Sequence, residues 1–175
     1  MDYMTKPLSR SDIRKLAPIF RRTFRESERG VFNVLEALEK LPDIFPKCDF
    51  IIVEDKDLPV TNPARCKPNE KGGFTIEIRN EIYCGAFERK VGAYMDHICH
   101  ELSHVFLFNI GYVPEFNRSL QKEKVKPCMS VEWQAMALTG ETMIPYAETT
   151  GMGVEEIMRV YHVSKAAAKY RIKLD

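Results

Sequence analysis

The stretch that most constrains the chain is His97-Ile98-Cys99-His100-Glu101-Leu102-Ser103-His104-Val105-Phe106-Leu107, which contains the pattern His-Glu-x-x-His. Residues four apart on an α-helix share a face, so His100 and His104 can aim imidazole nitrogens at one point. A metal ion suits that point. Glu101 lies about 100° round the helix from His100, placed to touch a water on the ion rather than the ion itself. Zinc held by two histidines and a further protein ligand lowers the pKa of bound water to roughly 7, and Glu101 is then the base for that water. Ile98, Leu102, Val105 and Phe106 recur at helical spacing and predict that the helix is buried.

The chain has 175 residues, 45% of them hydrophobic, enough for one core. Lys and Arg number 26 against 25 Asp and Glu, so the overall charge asks for neither nucleic acid nor an anionic membrane. The residues after Met1 are polar and charged, and no apolar stretch has the length of a signal peptide or membrane span, so a cytoplasmic location without membrane contact is expected. Cys48, Cys66, Cys84, Cys99 and Cys128 lack Cys-x-x-Cys spacing and read as reduced thiols; Cys99 points away from His100 and is a poor ligand.

Ahead of the motif, Ser9 or Ser11 caps a helix with Ile13, Leu16, Ala17, Phe20 and Phe24 on one face and Arg14, Arg21, Arg22 and Arg25 as a solvated charge run on the other. A second helix is expected from about Val31 to Leu41, ended by Pro42. Phe50-Ile51-Ile52-Val53 reads as a strand buried on both faces, residues 55–73 as a loop, and Phe74 to Arg79 as a half-exposed strand with a possible edge position for binding an extended peptide. Ile82-Tyr83-Cys84 is a candidate third strand. The expected class is α+β: a zincin-like, mostly helical body with a small, about three-stranded antiparallel sheet beside the motif helix, which should run from about Glu88 to Asn109 and stop at Gly111. His97 lies nearly on the face of His100 and reads as helix surface or a support to the metal ligands.

Leu107 and Ile110 stand where a metzincin carries Gly and His, which removes that class. The third ligand therefore comes from elsewhere. After a linker from Pro114 to Pro127, Ser130 opens a helix ended by Ile144-Pro145, and Glu132 in its first turn is a candidate, as well as a residue the helix dipole favours without any metal. Glu141 and Glu148 compete with it, as does Glu123 in a lysine-flanked loop.

Four stretches then carry a resemblance: Ser9-Arg10-x-Asp12-Ile13-Arg14-x-Leu16-Ala17, the His100 to His104 core, Glu132-x-Gln134-Ala135-x-Ala137-x-x-x-Glu141-x-Met143-Ile144-Pro145, and Val163-Ser164-x-x-Ala167-x-x-x-Arg171. Together they resemble the ImmA/IrrE family of zinc metallo-endopeptidases over nearly the whole chain. The resemblance implies His100, His104 and Glu132 as zinc ligands and Glu101 as catalytic base. It further implies a protein substrate, a helix-turn-helix repressor of a mobile element or stress regulon. Ser103 departs from the Gly common in the family, and Tyr94-Met95-Asp96 from its Arg-Phe-Thr.

Residues 1–150 are expected to form the peptidase domain and 151–175 a small appendage of two helices, the second capped by Ser164. Lys165, Lys169 and Arg171 are too few for a DNA reader, so packing or partner docking is the expectation there. Tyr83, Tyr94, Tyr112 and His162 are each able to stabilise an oxyanion. The rival to a zinc endopeptidase is a non-catalytic regulator that binds a repressor or DNA, with zinc as a structural brace.

Overall fold

The computed structural model describes residues 3–115 and 125–174. The fold is α+β, with helices α1 (Arg10–Thr23), α2 (Val34–Ile44), α3 (Asn80–Phe87), α4 (Gly92–Asn109), α5 (Val131–Met143), α6 (Tyr146–Thr149), α7 (Val154–Tyr161) and α8 (Lys165–Ile172). Strands β1 (Asp49–Val53), β2 (Ala64–Pro68) and β3 (Phe74–Arg79) complete it.

The sheet is mixed rather than antiparallel. Its order is β1-β3-β2, with β1 parallel to β3 and β2 antiparallel to it. The parallel pair needs a crossover between β1 and β3, and β2 forms within it, in the stretch read from sequence as a loop. The central place of β3 explains why it is buried where a half-exposed strand was expected. Its polar side chains are matched in turn: Glu77 by Arg65 and Lys67 of β2, Thr75 by Asp49 of β1. Conversely β1, expected to be buried on both faces, is an edge strand with Ile51 and Ile52 exposed. Ile82-Tyr83-Cys84 lies in α3, not in a strand.

Helix α1 begins at the Ser9 cap, whose hydroxyl accepts from the Asp12 amide. It buries Ile13, Ala17 and Phe20, and the Phe20 ring meets Phe24, Phe32 and Phe106 at centroid distances of 4.9, 5.5 and 5.1 Å. Arg21 leaves the expected solvated run. It is 1% exposed and donates to the carbonyls of Thr142, Ser27 and Gly30, a cation against the C-terminal end of α5. Helix α2 starts three residues later than expected, after an Asn33 cap, and Pro42 sits inside its last turn. Helix α4 starts at Gly92, not near Glu88.

The final helices share the main core through Ile157, Tyr161, Val163 and Ala168. Their turn lies close on α4: a Cβ on Gly92 would stand 2.7 Å from the His162 carbonyl oxygen, and Ser164 donates to Asp96 at 3.0 Å. The Ser164 hydroxyl also caps α8 by accepting from the Ala167 amide.

Candidate metal centre

Burial of Ile98, Leu102, Val105 and Phe106, all 2% exposed or less, turns the opposite flank of α4 outward at His100. Helix α5 packs against α4, and one link between them is the buried Ser103 hydroxyl, 3.1 Å from that of Thr139. The start of α5 is fixed from two sides. Ser130 caps it by accepting from the Trp133 amide. Residues 3–8 form a strap along the segment that precedes α5, with backbone hydrogen bonds from Thr5 to Met129, Leu8 to Cys128 and Val131 to Tyr3. The fully buried Gln134 amide donates to the Lys6 and Cys128 carbonyls, both at 2.8 Å, and locks strap and helix together.

This arrangement delivers Glu132 to the imidazole pair. Nε2 of His104 lies 3.1 Å from Nε2 of His100, Oε2 of Glu132 lies 3.2 Å from His100, and the remaining side of the triangle is 3.6 Å. A tetrahedral zinc with bonds of about 2.0–2.1 Å spaces its ligand atoms by roughly 3.3–3.4 Å, so the three atoms fit such an ion without rearrangement. The charge balance agrees with the spacing. Hydrogen bonds from His100 and His104 hold the Glu132 carboxyl far below the usual carboxylate range. Burial acts to lower the pKa of His100, but the hydrogen bond to Glu132 and the charges of Glu101 and Glu132 outweigh it, and the net shift is upward. The pocket thus attracts positive charge.

Glu101 is 8% exposed, and burial lifts its carboxyl above the ordinary value against the opposing pull of His104 and His100. It accepts a hydrogen bond from the backbone amide of Cys66, in edge strand β2. A hydrogen-bonded carboxylate with a raised pKa, beside a site for a cation, is equipped to take a proton from water.

The rivals to Glu132 are engaged elsewhere. Glu141 accepts from Arg14 at 3.1 Å, and Glu148 accepts from the Gly30 amide and the Tyr161 hydroxyl. Glu123 lies outside the described residues, as does most of the Pro114 to Pro127 linker. Cys99 is fully buried, with its thiol pushed strongly upward by desolvation, and is not part of the triad. None of Tyr83, Tyr94, Tyr112 and His162 is among the described residues lining the cavity that opens at the triad, whereas His97 is. Tyr94 donates to Glu81, and His162 closes α7 in a left-handed conformation.

No protein-family profile matches the chain, and no curated protein matches it. Among solved structures it is similar to a Mycobacterium tuberculosis transcriptional regulator, at 14% identity and a TM-score of 0.55. That match covers 93% of this chain and 46% of the regulator, so the chain spans about half of that protein's length. At this identity the likeness concerns the fold.

Proposed function

We propose that the chain is a cytoplasmic zinc endopeptidase that cuts a specific protein, on the pattern of the ImmA/IrrE family that its sequence resembles. The observation that carries the reading is the triangle of His100, His104 and Glu132, with sides of 3.1, 3.2 and 3.6 Å, beside the buried carboxyl of Glu101. His100, His104 and Glu132 would hold the ion. Zinc at such a site supplies Lewis acidity that polarises a carbonyl and acidifies water.

Glu101 takes the proton from the attacking water and passes it to the leaving amine. The amide of Cys66 faces that carboxyl. Edge strand β2 offers the unpaired side of the sheet next to Glu101, where an extended peptide can add as a further strand. This role falls to β2 and not to β3, which is paired on both sides. Among the described residues no helix is long and apolar enough to cross a membrane. By the family resemblance that substrate is a helix-turn-helix repressor, and DNA binding by the chain itself is not part of the reading.

A purely structural zinc favours a closed site with four protein ligands. Here the Glu132 side chain is 54% exposed and that of His100 25%, which supports an open, catalytic position over a brace in a non-catalytic regulator. The neighbour's description as a transcriptional regulator suits either role. The test is metal analysis of the wild type and Glu101→Gln with cleavage assays on a helix-turn-helix repressor. Equal zinc in both proteins with a discrete fragment from the wild type alone is expected; a stoichiometric complex without fragments would overturn the peptidase reading.

A further inference from the structure

A cavity of about 690 Å³ opens at the triad and continues between α4, α5 and α8. Glu132, Met136 and Gly140 stand at four-residue spacing along one face of α5 and line it, which gives a groove about 12 Å long starting at a metal-ligand position. Trp133, Ala167 and Tyr170 also line it, so its walls are largely apolar. Apart from His97, His100 and Glu132 at its metal-site end, the charged side chains that reach it have partners inside the protein, although Nη1 of Arg10 is buried without a hydrogen bond. Glu141 is held by Arg14, Asp96 by Ser164 at 3.0 Å, Arg10 donates to the Tyr170 hydroxyl at 2.9 Å, and Arg171 donates to the Tyr146 carbonyl at 3.0 Å. Over most of the groove an occupant therefore brings apolar surface. The volume is that of a ligand pocket and not of a packing defect.

We infer that this cavity is the subsite for apolar side chains of a peptide segment on one side of the bond to be cut. The inference rests on the peptidase reading for that bond, though not for the binding itself. Continuity decides the occupant: the triad lies at one end of the groove, so a chain held over Glu101 places its neighbouring side chains into it. The outer wall is α8, which makes the C-terminal helices part of the substrate site. Gly140 supports the same view, because a Cβ there meets no atom within 4 Å.

Trp133 is the sole tryptophan and lines the groove, so its emission reports occupancy directly. The probes are N-acetyl-leucyl-leucinamide and its aspartyl counterpart, titrated into full-length Glu101→Gln protein with and without zinc. The leucyl probe is expected to change the emission saturably, with a midpoint at least tenfold lower than the aspartyl one. Gly140→Leu puts a side chain into the groove from a position where a Cβ meets no atom within 4 Å and should abolish the response; Met136→Asp, at a position 47% exposed, should weaken leucyl binding at least tenfold. No response to the leucyl probe, equal midpoints for the two probes, or unchanged binding in both folded variants would overturn the inference. Probe binding in a protein that cuts nothing would defeat the peptidase reading alone, and cleavage without probe binding would defeat the subsite alone.

Discussion

Oε2 of Glu132 lies 3.2 Å from Nε2 of His100, although 32 residues separate them along the chain. Two imidazoles on one helix grip a cation weakly without this carboxylate. Glu132→Ala should therefore stay folded, because the side chain is 54% exposed, yet lose zinc. At a hundredfold excess over Kd, zinc stabilises the wild type by about 2.7 kcal/mol. A hundredfold loss of affinity, about 2.7 kcal/mol, removes most of that gain. Thermal melts with and without zinc check it: the wild type should shift upward and the variant should not. Stoichiometric, tightly held zinc in the variant would count against the triad.

The position of Glu132 depends on a residue that touches no ligand. Gln134 is fully buried and donates to the Lys6 and Cys128 carbonyls. Gln134→Leu strands the Lys6 carbonyl and leaves that of Cys128 with the Leu8 amide alone, at a cost of about 1–3 kcal/mol. Urea denaturation should show that loss. Zinc titration should show a second one, since the strap and the first turn of α5 then move relative to each other. A variant as stable as the wild type, with unaltered zinc affinity, would refute this coupling.

What the sequence revealed follows the range of the interactions involved. His100 and His104 are tied by helical spacing alone, and the Ser130 and Ser164 caps are signals within three residues, so the metal helix and the later helices could be read directly. Strand β2 could not, because Ala64-Arg65-Cys66-Lys67-Pro68 is a polar edge strand whose only signature is pairing with β3. Ile82-Tyr83-Cys84 has strand-like composition, but a short apolar run does not distinguish strand from helix, and here it follows β3 straight into α3. Arg21 looked solvated because its partners, Ser27, Gly30 and Thr142, are carbonyls that periodicity does not display. The apolar groove is hidden for the same reason: its far wall is a helix more than thirty residues on from Glu132.

Gly140 interrupts α5 at a site where a side chain has room, since a Cβ there meets nothing within 4 Å. Glycine inside a helix costs about 0.5–1 kcal/mol relative to alanine. Gly140→Ala should raise stability by that amount, measured by chemical denaturation at saturating zinc. A destabilised variant would show that the groove is tighter than its geometry.

Asp96 links pH to the docking of the C-terminal helices. Burial pushes its carboxyl up to about 6, against the hydrogen bond from Ser164. Its hydrogen-bond partner is the neutral Ser164 hydroxyl that caps α8, and the thiol of Cys99, about one turn on in α4, is kept protonated by burial. The folded protein thus holds this proton more tightly than the unfolded chain, whose carboxyl titrates near 3.8. The resulting stability is fully present below pH 3.8 and is lost as pH rises through about 6. Partial solvent access trims the loss to about 1–3 kcal/mol at pH 8. Asp96→Asn keeps an acceptor for Ser164 and removes the buried charge. Its melting temperature should exceed that of the wild type at pH 8, and the difference should vanish near pH 4. A gap that is the same at both pH values would mean that Asp96 titrates like a surface carboxylate.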